Sequence, residues 1–199
     1  CMQVKFDKET CAMELPEEYQ FLDYGTDLYA PQSTLDAEGR RILTAWLRMP
    51  EPVNGKWQGM MCIPRVAEVK DGHVYFHVHP NVQAAYAKEI SAPSEADESG
   101  YRLRFSLEDG DKVNVGGYVI SRKGNKICTD RSILFEKFPD HRVKFETPEL
   151  KEGFNLEVYV NPNQISVFVN NGEAVITNTV YDLGEKIEAD VPVKIETTV

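Results

Sequence analysis

The sequence predicts an all-β fold, and three features carry that expectation. Apolar and polar residues alternate with a period of two over many short runs. Turn-forming residues punctuate those runs at short intervals. Helical periodicity is confined to one brief stretch.

The clearest alternating run is YRLRFSLE. It sets Tyr101, Leu103, Phe105 and Leu107 on one face and Arg102, Arg104, Ser106 and Glu108 on the other, a strand with a wet side. GYVISR, SILFEKF and VKFETP add β-branched and aromatic runs that read as further strands. NLEVYV and QISVFV are separated by Asn161, Pro162 and Asn163, which suit a tight hairpin connection. QISVFVNNGEAVITNTVY reads as a second hairpin, with Asn171-Gly172 able to supply the positive φ angles of a type I′ turn. Ile165, Val167 and Val169 share one face of its first strand. Val175, Thr177 and Thr179 share one face of its second. The one helical candidate is NVQAAYAKEI, Asn81 to Ile90, followed by the polar, turn-prone stretch Ser91 to Gly100. These mark a domain junction near residue 82. The even spacing of short strands beyond it suggests a sandwich.

The chain has 199 residues with a net charge of −10, from 32 acidic and 22 basic side chains. An acidic surface repels phosphate backbones and anionic bilayers, so neither nucleic acid nor a membrane is an expected partner. No run is long and apolar enough to span a bilayer, and the first residues lack the apolar core of a signal peptide. The expected location is therefore the cytoplasm. The opening at Cys1, with strand character from the start, leads to the expectation that a preceding segment is missing. Cys1, Cys11, Cys62 and Cys128 show no CxxC pair, so free, mostly buried thiols of a reducing compartment are expected rather than a zinc cage.

DYGTDLYAPQ (Asp23 to Gln32) and GRRILTAWLRMP (Gly39 to Pro50) resemble the DYGxDFYAPQ and GRRILxGWM segments of glycoside hydrolase family 32. KWQGMMCIPR (Lys56 to Arg65) is similar to that family's WxGxxxxPRE, and VKFDKETCAM to its GxFDxxTxxF. TDRSILFEKF (Thr129 to Phe138) is similar to its DRS segment. Asn155 to Tyr181 resembles its LRIFVDxSSVEVFVNDGE hairpin. The resemblance implies the last part of a five-bladed β-propeller plus linker over residues 1–82. It implies a C-terminal β-sandwich over residues 83–199.

Family members are retaining glycosidases, which need two carboxyl groups about 5 Å apart. The resemblance puts those groups in NDPNG, RDP and EC motifs. None of these strings occurs here, so no catalytic residue is assigned to this chain, and the chain alone is expected to hydrolyse nothing. The resemblance implies a share in the sugar site for Asp27, Tyr29 and Trp46. Against that, DYG reads as a turn whose aspartates bond backbone amides, and a tryptophan beside ILTA reads as core. Trp57 has the same two readings. Leu28 and Ala45 depart mildly from the family pattern. Ser166 and Val160-Asn161 replace its acidic hairpin residues, which leaves no charge role to carry over. His73, Tyr75, His77 and His79 fall on one strand face, which reads as solvated rather than as a metal site. The glycines of GYVISRKGNK lack a phosphate-cradle context, and no cofactor is expected.

Three functions compete. The first is a C-terminal portion of an enzyme that cleaves terminal β-fructofuranosyl bonds in sucrose, sucrose 6-phosphate or fructan. The second is a non-catalytic sandwich module for domain packing, oligomerisation or weak carbohydrate binding. The third is a small complete enzyme using Asp23, Asp27 and Asp36. An incomplete propeller leaves sheet surface open, so a homo-oligomer or packing against the sandwich is expected.

Overall fold

The computed structural model describes residues 1–151 and 153–199. A small hairpin, β1 (Lys5–Phe6) and β2 (Met13–Glu14), precedes the first large sheet. That N-terminal sheet is built from β3 (Leu28–Leu35), β4 (Arg41–Leu47), β6 (Arg65–Lys70) and β7 (His73–Val78) in that spatial order. The short β5 (Met60–Met61) also pairs with β4. Every pairing is antiparallel. Asp71 and Gly72 make the two-residue turn between β6 and β7, both with positive φ, as a type I′ hairpin requires. Along β4, Leu43, Ala45 and Leu47 point inward and are buried, while Trp46 stands on the other face.

The rest of the chain forms two facing sheets. One has the order β13 (Lys144–Glu146), β12 (Lys126–Asp130), β11 (Tyr118–Lys123), β10 (Lys112–Val115), β17 (Ile187–Ala189). The other runs β16 (Ala174–Thr179), β15 (Gln164–Val169), β14 (Asn155–Asn161), β9 (Tyr101–Ser106), β18 (Lys194–Thr197), β8 (Lys88–Ile90). Leu103, Phe105, Val113, Ile120, Ile127, Val158, Ile165, Val167 and Ile176 fill the space between them.

The predicted hairpins are present, and both strands of β15–β16 are buried along their whole length. The face not used by the sandwich core carries Phe168 and Val175, which pack with Tyr159 against Leu43, Phe76 and Val78 of the N-terminal sheet. The β15–β16 connection is longer than a two-residue turn. Val169 pairs with Ala174, and Asn170, Asn171 and Gly172 all take positive φ. The carbonyl of Gly172 accepts the Phe76 amide at 2.9 Å, which ties this loop to β7.

Four local expectations need correction. The helix α1 spans Pro80–Ala85 and stops there, because Lys88–Ile90 leave it to pair with β18. SILFEKF is not a strand. Ile133–Phe135 form a 3-10 turn that buries Phe135 against Phe138 and Tyr181. The side of β9 expected to be wet is partly closed. Arg102 is buried, donating to Glu196 at 2.9 Å and to the carbonyls of Gln83 and Tyr86 in and just after α1. Of the free cysteines, Cys62 is buried and Cys128 half-buried, but Cys1 and Cys11 are exposed.

Candidate functional site

β16 lies at the end of its sheet, so its outer edge presents main-chain groups that no neighbouring strand pairs. The segment Asp23–Asp27 satisfies them. The Tyr24 amide donates to the Val175 carbonyl at 2.8 Å. The Thr177 amide donates to Asp23 Oδ1 at 2.9 Å, and the Thr179 amide donates to Asp27 Oδ2 at 2.8 Å. Gly25 lies so close to this edge that a Cβ there would sit 2.1 Å from the Thr177 carbonyl oxygen. Two aspartates four residues apart thus match two threonines two apart on an extended strand.

Each aspartate is neutralised by a buried arginine. Arg65, in the β6 strand, donates to Asp23 Oδ2 and to Thr177 Oγ1, both at 2.6 Å. Arg131, just after β12, forms a two-point contact with Asp27 at 2.5 and 3.1 Å and donates to the Thr179 carbonyl at 2.8 Å. Its guanidinium carbon also lies 3.8 Å from the centre of the Phe135 ring. A buried carboxylate needs a paired cation and filled acceptor sites, and both pairs meet that demand. Both Asp27 oxygens are thus engaged, by Arg131 and by Thr179.

Tyr29 and Trp46 do face solvent. They are opposite one another across β3 and β4, with ring centres 6.2 Å apart in an edge-to-face arrangement. Tyr29 is 52% and Trp46 41% exposed in this chain. Trp57 also is exposed. The indole of Trp46 is nevertheless held. Gly59, at φ +84°, approaches it so closely that a Cβ there would lie 2.0 Å from Trp46 Nε1. Arg48, two residues along the same face, places its guanidinium carbon 5.2 Å from the centre of the Tyr29 ring. The result is a supported aromatic ledge with a cation at one end.

Asp36, at the far end of β3, is held by Arg40 at 2.6 Å and lies 3.5 Å from His79. Desolvation would raise its carboxyl, but the Arg40 contacts outweigh this and keep it at about 2. Asp23, Asp27 and Asp36 each have their own arginine and share no hydrogen-bond partner among the described residues. The histidines also go separate ways: His73 meets the Glu173 carbonyl, His77 meets Glu68 and His79 caps α1. Arg65, Arg131, Thr177 and Thr179 were not singled out from the sequence. The available signal was the arginine in IPR and in TDRS, each lying in a segment that carried the resemblance.

A single antiparallel sheet docked through buried ion pairs on a two-sheet sandwich defines the class: an all-β protein of one blade-like sheet and a sandwich. Residues 1–80 match the glycosyl hydrolases family 32 N-terminal domain. The chain is 29% identical over 194 residues to a sucrose-6-phosphate hydrolase of Vibrio alginolyticus, covering 87% of this chain and 38% of that protein. It is 29% identical over 198 residues to a raffinose invertase of Escherichia coli, covering 82% and 38%. The structure of sucrose-6-phosphate hydrolase from Lactobacillus gasseri superposes with a TM-score of 0.79 at 19% identity, over 98% of this chain and 46% of that one. A Bombyx mori β-fructofuranosidase superposes at 0.73 with 16% identity, over 96% and 44%. Residues 1–80 thus carry the family 32 domain match, and the chain has the all-β fold of the last part of a β-propeller followed by a β-sandwich, as in the solved family 32 structures it resembles. It spans 38% of the length of the two curated relatives named here.

Proposed function

We propose that this chain serves a glycosidase that cleaves terminal β-fructofuranosyl bonds, with sucrose, sucrose 6-phosphate and fructan as the candidate substrates. In this reading it supplies the rim of the sugar site and not the reacting carboxylates. The observation that carries the reading is the exposed Tyr29–Trp46 ledge, held over Gly59 and presenting flat apolar faces of the kind that stack on sugar rings. Two of the named relatives bear sucrose-6-phosphate hydrolase or invertase names, and a Bombyx mori β-fructofuranosidase has been solved in complex with sucrose. The carboxylates nearest in sequence to the ledge, Asp23 and Asp27, are each bound to an arginine and to β16, which leaves neither as a nucleophile. We place the division between propeller part and sandwich near residue 82, within α1.

The test is fructose release from sucrose, sucrose 6-phosphate and inulin by the purified 199-residue chain. No turnover is expected, while Trp46→Ala should abolish any sugar-induced change in the tryptophan spectrum. Turnover by the pure chain would overturn the reading.

The packing role of the sandwich is favoured over a carbohydrate-binding one. Among the described residues beyond position 82, the large apolar side chains left exposed are Ile133 and Val199, and neither is aromatic.

A further inference from the structure

Arg48 differs in its surroundings from the arginines of the interface. Arg65, Arg102 and Arg131 are buried and each meets a carboxylate. Arg48 is exposed, and among the described residues no carboxylate pairs with it. Its position is nonetheless fixed. The main-chain amide donates to the Asp27 carbonyl at 2.8 Å, and Nη2 donates to the Thr26 carbonyl at 3.1 Å. The guanidinium lies 5.2 Å from the Tyr29 ring centre, a cation–π contact that further limits its motion. The Thr26 carbonyl takes one N–H of Nη2, so one of the two edges that pair Nη2 with Nε or with Nη1 keeps both its N–H groups unengaged among the described residues.

The anchoring runs through the carbonyls of Thr26 and Asp27, and Asp27 is itself locked by Arg131 and Thr179. The cation is therefore preorganised beside Trp46 and Tyr29. On a chain of net charge −10 the general field repels anions, so attraction of one must come from a local group. A guanidinium edge with two N–H groups matches two phosphate oxygens, whereas a neutral sugar offers it only hydroxyls. We infer that Arg48 makes the ledge selective for a phosphorylated fructoside, with the sugar on Trp46 and Tyr29 and the phosphate on the guanidinium. This rests on the reading of that ledge as sugar-facing.

The test uses the 199-residue chain carrying Trp57→Phe, so that one indole N–H signal, that of Trp46, remains in the nitrogen–proton correlation spectrum. Sucrose, sucrose 6-phosphate and inorganic phosphate are titrated separately. Sucrose 6-phosphate is expected to move the Trp46 signal at about tenfold lower concentration than sucrose, the worth of a charge-assisted contact. Arg48→Gln should erase that difference and Arg48→Lys should keep part of it. Equal response to both sugars, a preference that survives Arg48→Gln, or an equal response to inorganic phosphate alone would each overturn the inference. A signal that neither sugar moves would instead overturn the sugar-facing reading beneath it.

Discussion

Arg131 and Asp27 join two parts of the chain 104 positions apart, and their contact is completed by Thr179 on the free edge of β16. Asp27 Oδ2 accepts from Arg131, from the Thr179 amide and from the Thr179 hydroxyl. Removing one partner leaves the other charge buried and uncompensated. Asp27→Ala is expected to cost about 3–5 kcal/mol, read from urea unfolding. Loss of less than about 1 kcal/mol would mean that water already reaches Arg131.

Gly25 is predicted to be intolerant of any side chain. A methyl group there would collide with the Thr177 carbonyl and crowd Asp23 Oδ1 at 3.0 Å. Gly25→Ala should destabilise the fold by about 1–3 kcal/mol, the usual range for overpacking. Calorimetry would show it as a lowered midpoint. An unchanged midpoint would contradict the close approach.

Gly59→Ala tests the ledge itself. The added methyl occupies the space of the Trp46 indole, and the backbone is in a region that alanine adopts with strain. Trp46 should swing outward, with a red shift of tryptophan emission measured in a Trp57→Phe background. An emission maximum that stays put would show that the indole is held by something other than Gly59.

Acid should loosen the α1 end of the sandwich. Desolvation pushes the Glu196 carboxyl up, but Arg104, Lys194 and Arg102 outweigh it and hold the group below its ordinary value of about 4.3. A depressed carboxyl stabilises the fold above its unfolded-state value, and that contribution is lost as pH falls through the lower folded-state value. Stability of the native chain should therefore fall more steeply than that of Glu196→Gln below about pH 4.3. Parallel curves for the two proteins, from denaturation at a series of pH values, would remove Glu196 from the account.

Much of the sandwich was legible because its strands alternate. YRLRFSLE and QISVFV reveal their inward faces without help from tertiary structure. The second buried face of β15–β16 was not legible as such. Ser166, Thr177 and Thr179 are buried there although polar, because Ser166 bonds Gln164 and Thr177 within the sheet while Thr177 and Thr179 are met by the distant Asp23–Asp27 segment. For the same reason the buried pairing of Asp27 was not legible. Its acidity was visible at once, but the arginine that consumes it lies beyond the junction, and no local pattern links them. SILFEKF failed differently. Its apolar residues serve an aromatic cluster around Phe135 and not a ladder, and period-two reasoning does not distinguish the two. Trp46 kept two readings, sugar site and core, because its neighbours Ala45 and Leu47 are core and the glycine that approaches its indole lies thirteen positions on.

The sealing of β16 has a consequence for how the chain is made. The two carboxylates that close this edge leave the ribosome about 150 residues before the strand they close. Asp23 and Asp27 are then solvated charges awaiting a partner, and β16 is a sticky margin until they arrive. A sandwich folded without them would offer that margin to another molecule. The two halves are thus expected to reach their final state in one cooperative step, the early part acting for the late part as a chaperone contained in the same polypeptide.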